Sequence, residues 1–142
     1  MKYRLTQDTD TALAPFIGHR QMLAIKTLLR GEEGEHFAQT LRLLALLVKT
    51  MPKTGETDGE GADAIVQLHY FYRGCDWYIT ERDTGDGSDD DSQHQAFGYA
   101  NLGDPQNAEF GYISLPELFE SAVELDLYWE PKPLKDCTAY RS

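Results

Sequence analysis

The tripeptide Phe-Gly-Tyr occurs twice, at residues 97–99 and 110–112, on either side of the sequence Gly103-Asp104-Pro105. Glycine, aspartate and proline favour tight turns, so the two copies are predicted to be the paired strands of one hairpin. When the turn is centred between Asp104 and Pro105, the predicted pairs are Phe97 with Tyr112, Gly98 with Gly111, and Tyr99 with Phe110.

This register decides what each face of the hairpin presents. Side chains alternate between the faces of a strand, so the four aromatic residues share one face, and Gly98 and Gly111 lie opposite each other on the other face. Glycine has no Cβ, so this strip of bare backbone admits close approach by another group. A packed helix would fill the strip in an ordinary core, and a ligand or a peptide is the functional alternative.

Hydrophobic spacing elsewhere predicts helices before the hairpin and strands around it. Apolar residues at helical intervals indicate two helices within residues 14–51, and Ser114 followed by Glu117 resembles a capping box that begins a short helix. The other predicted strands are residues 65–72, 77–82 and 125–130, with a hairpin turn at 73–76. The chain is therefore predicted to be a single α+β domain, residues 1–142. It would have an antiparallel sheet of about five strands, an N-terminal helical pair and a short helix before the last strand.

The net charge of −11 is divided unevenly along the chain. Residues 1–55 contain eight lysines and arginines and five acidic residues, net +3, whereas residues 56–142 contain five and nineteen, net −14. Affinity for nucleic acid depends on lysine and arginine contacts to phosphates, so an acidic body disfavours direct binding to nucleic acid. It favours a basic protein surface as partner, including one that ordinarily holds nucleic acid. Acidity that only maintains solubility is the alternative.

Cysteine usage and hydropathy indicate the compartment. Cys75 and Cys137 are the only cysteines and do not have zinc-site spacing, and the first residues lack the apolar core of a signal peptide. The longest apolar run, residues 43–48, is far too short to span a bilayer. We therefore predict a cytoplasmic protein with reduced thiols, no membrane contact, no cofactor and no metal site.

A family resemblance depends on five stretches between residues 55 and 134. They are DAIV at 63–66, WYITE at 77–81, FGY at 97–99, FGYISLPEL at 110–118 and ELDLYWEP at 124–131. In this order and spacing the chain resembles the domain of unknown function 2958 family, small proteins of plasmids, integrative elements and phages. That family has no known activity, so the resemblance implies a mobile-element context and no particular chemistry. Two features depart from the family pattern: Arg82 replaces an apolar residue, and a helical region, residues 1–52, precedes the family-like core at 53–134, which a tail at 135–142 follows.

Acidic residues near the predicted strand ends form a candidate site, and they are Glu81, Asp83, Asp126 and Glu130. Convergence of Glu81, Asp83 and Asp126 would give a metal site or an acid–base pair, whereas salt bridges to nearby arginines and lysines are the alternative. The acidic run at 86–91, in a predicted solvated loop, does not have EF-hand spacing. No serine elbow or phosphate-binding loop is visible in the sequence, and His69, inside a strand, is predicted to be a structural histidine.

Three functional hypotheses follow from these patterns. The first is a non-enzymatic interaction module that binds a basic host or element protein, as a nucleic-acid mimic or an anti-defence factor. The second is an enzyme of unknown reaction at the carboxylates. The third is a nucleic-acid binder or a homodimer built on the basic N-terminal helices, with Leu41, Leu44 and Val48 as interface residues. The surface predicted for the first hypothesis combines the acidic loop, the Gly98–Gly111 strip and an edge of the sheet. The candidate binding residues are Trp77, Tyr78, Glu81, Asp83, Gly98, Gly111, Asp126 and Glu130.

Overall fold

The computed structural model describes residues 6–84, 92–137 and 140, and these have the predicted α+β architecture. The helices are α1 Gln7–Leu13, α2 His19–Leu29, α3 Gly34–Thr50 and α4 Leu115–Glu120. The strands are β1 Ile65–Val66, β2 Leu68–Tyr72, β3 Cys75–Glu81, β4 Ala96–Asn101, β5 Glu109–Ile113, β6 Glu124–Leu125 and β7 Lys132–Pro133. Five strands form an antiparallel sheet in the order β5-β4-β3-β2-β6, and β1 pairs with β7 in a small separate sheet. None of the described helices is both long and apolar enough to cross a bilayer.

The hairpin of β4 and β5 has the register that the sequence predicts. Its central pairs are Phe97 with Tyr112, Gly98 with Gly111, and Tyr99 with Phe110. The aromatic rings meet on one face: Phe97 stacks on Phe110 with ring centroids 6.2 Å apart, and Tyr99 meets Phe110 edge-on at 5.3 Å. The two Phe-Gly-Tyr tripeptides are therefore the two sides of one hairpin.

The strands β2 and β3 are joined by a tighter turn than the sequence predicts. Only Arg73 and Gly74 lie outside the strands, and both have positive φ, 43° and 83°. That conformation matches the right-handed twist of the flanking strands, and glycine adopts it at low cost. Cys75 and Asp76 are therefore the first residues of β3 and not part of the turn.

Side-chain alternation gives the sheet a helix-covered face and a second face. On the first face, sheet residues pack with the helices in one core cluster, which includes Leu13, Ile25, Leu29, Leu41, Val48, Leu68, Tyr70, Ile79, Ala96 and Ile113. The second face carries a smaller buried cluster, formed by Val66, Tyr78, Tyr99, Leu134 and Cys137. The chain that follows β6 covers part of this second face, and the aromatic side of the β4–β5 hairpin lies next to it.

The helical region contains three helices where the sequence predicts two. Helix α1 has seven residues, most of them polar, so it lacks the apolar period that reveals a helix in sequence. Its N-cap residue is Thr6, whose hydroxyl accepts the N–H of Thr9 at 3.2 Å. Lys49 of α3 binds Asp8 at 2.6 Å and attaches α1 to the longest helix.

The final predicted strand is shorter than the alternation over residues 125–130 indicates. Only Glu124–Leu125 pairs with β2, because the chain turns at Asp126, whose carboxylate accepts the N–H of Tyr128 at 3.0 Å. Trp129 then lies on the second face, where its indole donates to the Val66 carbonyl at 2.9 Å. The predicted short helix is present as α4, but its N-cap residue Ser114 makes no side-chain capping bond.

The apolar stripe of α3 packs into the core of its own chain. Leu41, Leu44 and Val48 are 0%, 8% and 1% exposed, so they are not on the surface where the interface prediction placed them. The broadest apolar face of a helix turns inward because burial there removes the most apolar area from water. The leucines of α3 that reach the surface are Leu43 and Leu46, at 68% and 59% exposure, and a homodimer through this helix stays a prediction.

Tyr70 connects the sheet to the helical layer. Its side chain is fully buried, and its hydroxyl donates to the carbonyl of Phe16, between α1 and α2, at 2.5 Å. Burial raises the pKa of Tyr70 well above its ordinary value of 10.0, because the phenolate would have no water around it.

Removing this hydroxyl should change stability in a pH-dependent way. Tyr70→Phe leaves the Phe16 carbonyl without its donor, so the free energy of unfolding should fall by about 1 kcal/mol at neutral pH. In the wild type, Tyr70 ionises above about pH 10 in the unfolded chain only, so stability present at lower pH is lost as the pH rises. The difference in free energy of unfolding between the wild type and Tyr70→Phe, measured by urea unfolding, should therefore become smaller at alkaline pH. A difference that does not change with pH would contradict the buried hydrogen bond of Tyr70.

Candidate functional site: the connector groove

A buried carboxylate, Glu81, organises the segment that precedes β1. Glu81 ends β3 and is 2% exposed. Its two oxygens accept the N–H of Gly55 at 2.8 Å, the N–H of Thr57 at 2.9 Å and the Thr57 hydroxyl. A buried charge is costly unless hydrogen bonds replace its water, and these three donors do so. Glu81 therefore holds residues 53–63, hereafter the connector, against the end of the sheet.

Successive tight turns give the connector its shape. The N–H groups of residues 56, 58, 60 and 63 each donate to the carbonyl three residues earlier. Gly55, Gly59 and Gly61 have positive φ values of 87°, 83° and 53°, a region that disfavours other residues. The connector is thus an ordered wall beside the sheet, fixed by its own turns and by Glu81.

The connector and the aromatic face of the β4–β5 hairpin enclose a groove of about 310 Å³. Its lining residues are Thr57, Asp58, Gly59 and Gly61 from the connector, Ala64 after it, and Thr80, Phe97 and Phe110 from the sheet. The phenylalanine rings provide an apolar floor, and Asp58 provides the one charged group of the lining. We call this feature the connector groove.

The carboxylates of the connector are mostly uncompensated. Glu56, Asp58 and Glu60 are exposed, and none of them forms an ion pair with another described residue. Asp63, by contrast, binds Lys135 at 2.8 Å. Three carboxylates without ion pairs to described residues, within five positions of the chain, create a negative potential along the connector, and Asp58 brings it to the groove.

The described cations of the acidic half already have partners elsewhere. Lys132 lies over the ring of Trp129 at 4.7 Å, and Arg73 lies over the ring of Tyr72 at 5.3 Å. Lys135 is the cation that binds Asp63. These contacts direct the three cations away from Glu56, Asp58 and Glu60. Lys53, at the start of the connector, also forms no ion pair with these acids, and the described connector has four acids and this one cation.

Arg82 attaches the helical layer to the sheet. Its guanidinium donates to the carbonyl of Val48 at 2.8 Å, in the last turn of α3, where the helix dipole favours a cation. Its backbone N–H donates to the carbonyl of Pro52 at 2.8 Å. Arg82, which departs from the pattern of the resembled family, thus contacts the helical region that precedes the family-like core.

The predicted carboxylate site is divided among different partners. Glu81 serves the connector, Asp83 accepts the N–H of Gln95 at 3.1 Å, and Asp126 lies in the turn after β6. Glu130 is exposed between β6 and β7. Among the described residues, no group of three or more histidines, cysteines and acids could hold a metal ion. The acidic run at 86–91 lies outside the described residues.

His69 lies between two carboxylates, a contact that the sequence does not reveal. Its Nε2 is 2.7 Å from Asp76 and its Nδ1 is 3.3 Å from Asp126. Its ring stacks on Tyr78 with centroids 5.0 Å apart. With both nitrogens engaged, His69 connects β2, β3 and the turn after β6, which is the structural role that the sequence predicts.

The glycine strip lies on the helix-covered face of the hairpin, beside the core residues Ala96 and Ile113. Gly98 is buried, and a Cβ there would lie 1.9 Å from the carbonyl oxygen of Tyr78. The group that approaches Gly98 is therefore the neighbouring strand, next to a register shift in β3, and not a helix or a ligand. At Gly111 a Cβ would meet nothing within 4 Å, so open space remains on that side only.

The two aromatic binding candidates on β3 pack inside the fold. Tyr78 is 2% exposed in the second-face cluster, and Trp77 is partly buried against the helical core. Alternation alone could not show this, because the chain after β6 covers the outer face of the strand. Among the described phenylalanines, tyrosines and tryptophans, the exposed rings are Phe71, Phe110, Tyr112 and Tyr128, at 41%, 39%, 61% and 57%.

Both cysteines are free thiols. Cys137 is 4% exposed, and burial raises the pKa of its thiol from 9.0 to about 11. The thiol is therefore protonated at neutral pH, and it packs as a small apolar side chain in the second-face cluster.

Comparison of the chain with models of protein families, with curated proteins and with solved structures finds no match. The family resemblance of residues 55–134 therefore stays a prediction.

Glu81 can be tested by a substitution that keeps its shape. Glu81→Gln directs an amide group, itself a donor, toward the donors of Gly55 and Thr57, so at least one buried hydrogen bond is lost. We expect the free energy of unfolding to fall by about 2 kcal/mol, measured by urea unfolding. The matched control Glu32→Gln, exposed between α2 and α3, should change stability by less than about 0.5 kcal/mol. Equal effects of the two substitutions would contradict the role of Glu81.

Proposed function

We propose that this protein is a non-enzymatic interaction module that binds a basic protein surface through its acidic half, residues 56–142. The observation that carries the proposal is a set of three exposed carboxylates, Glu56, Asp58 and Glu60, that form no ion pair with the described residues and lie on an ordered connector beside an aromatic groove. Carboxylates without an internal cation favour an external one, because attraction to it relieves their mutual repulsion.

The exposed rings near the groove suit the same kind of partner. Phe110 and Tyr112 lie on β5, the edge strand of the five-stranded sheet, and are 39% and 61% exposed. Lysine and arginine side chains bind aromatic faces through the ring quadrupole as well as through dispersion. Aromatic rings beside carboxylates therefore favour a basic protein over a neutral apolar one.

An acidic module competes most directly for the basic protein surfaces that ordinarily bind nucleic acid. The net charge of −14 over residues 56–142 opposes direct contact with phosphates but complements the lysines and arginines that bind them. Mimicry of nucleic acid is the form of this proposal that the charge supports, and the family resemblance adds a mobile-element or anti-defence context.

The geometry gives less support to an enzyme at the predicted carboxylates. Both oxygens of Glu81 are occupied by connector donors, and Asp126 contacts His69 on another part of the sheet. General acid–base catalysis needs a carboxylate within reach of a bound substrate, and Glu81 is 2% exposed.

The proposal can be tested with a defined basic probe. A fluorescent peptide of mixed lysine and arginine should bind the wild type, and its affinity should fall steeply as salt is raised. The triple variant Glu56→Gln, Asp58→Asn, Glu60→Gln should weaken binding about tenfold or more in fluorescence anisotropy.

The matched control removes the same amount of charge from the other half of the chain. Glu32→Gln, Glu33→Gln and Glu35→Gln together change the net charge equally, and all three positions are exposed. This control should bind within about twofold of the wild type. Salt-independent binding, or equal losses in the two triple variants, would overturn the proposal. A labelled DNA duplex should not bind at low salt.

A further inference from the structure

The connector groove has the size and lining for a single flat cation. Its volume of about 310 Å³ lies at the lower end of the range, about 300–1,000 Å³, that holds small ligands. We propose that the groove binds one arginine side chain of the basic partner. This inference depends on the proposed function and specifies which side chain the site selects.

The floor of the groove offers an aromatic surface for a planar group. The rings of Phe97 and Phe110 are nearly parallel, with an interplanar angle of 12° and centroids 6.2 Å apart. Phe110 is 39% exposed, so part of its ring is open to a ligand. A guanidinium group stacks on such rings through cation–π attraction and contact of two flat surfaces.

The wall of the groove offers acceptors for the guanidinium donors. Asp58 lines the groove and has no cationic partner among the described residues. The carbonyls of Asp58 and Gly59 accept no hydrogen bond from another described backbone group. A guanidinium carries five N–H donors in a fixed plane, and a carboxylate can accept two of them side by side.

The glycines of the wall keep the space next to these acceptors open. A Cβ added at Gly59 or Gly61 would meet nothing within 4 Å, and neither residue has a side chain that could fill the groove. Both have positive φ, which turns the connector around the opening. The turn favours glycine at both positions because of the positive φ, and the missing side chains leave room for a side chain of the partner.

These features favour arginine over lysine. An ammonium group is a compact, strongly hydrated charge with no flat face, so it gains less from the phenylalanine floor than a planar cation does. A guanidinium is more weakly hydrated, and it can stack on Phe110 while it binds Asp58. The groove should therefore bind an arginine-containing partner more tightly than a lysine-containing partner of equal charge.

The test uses two fluorescent peptides of identical length and charge, one with arginine and one with lysine at every basic position. The wild type should bind the arginine peptide at least about fivefold more tightly in fluorescence anisotropy. Asp58→Asn and Phe110→Ala should each remove most of this preference. Glu117→Gln, an exposed acid on α4 that does not line the groove, removes the same charge as Asp58→Asn and should keep the preference. Circular dichroism of each variant verifies that it is folded.

The outcomes separate this inference from the proposed function. Equal, salt-sensitive binding of both peptides would overturn the arginine site and leave the acidic interaction module standing. A preference that persists in both groove variants would also overturn the arginine site, because the selection would arise elsewhere. Binding of neither peptide would overturn both proposals.

Discussion

The hydrogen bonds accepted by the Glu81 carboxylate determine where the connector lies, and the rest of the site depends on that position. The connector residues Gly55 and Thr57 carry the donors, so the loop that displays the unpaired acids is fixed to the end of β3. A loop of eleven residues with three glycines would otherwise retain considerable conformational entropy. One internal carboxylate, Glu81, is thus buried and fully hydrogen-bonded, and it holds in place a loop whose three exposed acids form no ion pair with a described residue.

The adjacent residue gives the same strand end a second role. Arg82 binds the last turn of α3 through the carbonyl of Val48, and its backbone binds Pro52 at the start of the connector. Opposite charges at neighbouring positions therefore connect two different elements to β3: Glu81 the acidic connector and Arg82 the helical layer. The elements joined in this way differ in charge: residues 1–55, the helical half, have a net charge of +3, and residues 56–142, the sheet half, have a net charge of −14. This arrangement leaves the negative potential on the sheet half available to a partner.

The sequence predicts the local features of this fold better than the distant contacts. The register of the β4–β5 hairpin follows from the symmetry of two identical tripeptides around a turn. The partners of Glu81 lie 24 and 26 residues earlier, and no periodicity connects them to β3. The sequence therefore leaves a metal site, an acid–base pair and a salt bridge as alternatives for Glu81, and the structure has an anchor for the connector. The same limit applies to Tyr78. Strand alternation alone does not show whether its face of β3 is exposed or buried, because the chain that covers this face follows β6, far along the sequence. Helix α1 was missed because seven mostly polar residues carry no apolar period.

Amide hydrogen exchange of the wild-type connector tests the central role of Glu81 most directly. The Gly55 amide lies in an exposed part of the connector, so only its bond to Glu81 accounts for protection from solvent. The account predicts that Gly55 and Thr57 exchange about a hundredfold more slowly than Gly59, whose N–H has no partner among the described backbone groups. Exchange of Gly55 and Thr57 as fast as that of Gly59 would show that the connector is not held by Glu81, and the groove would lose its wall.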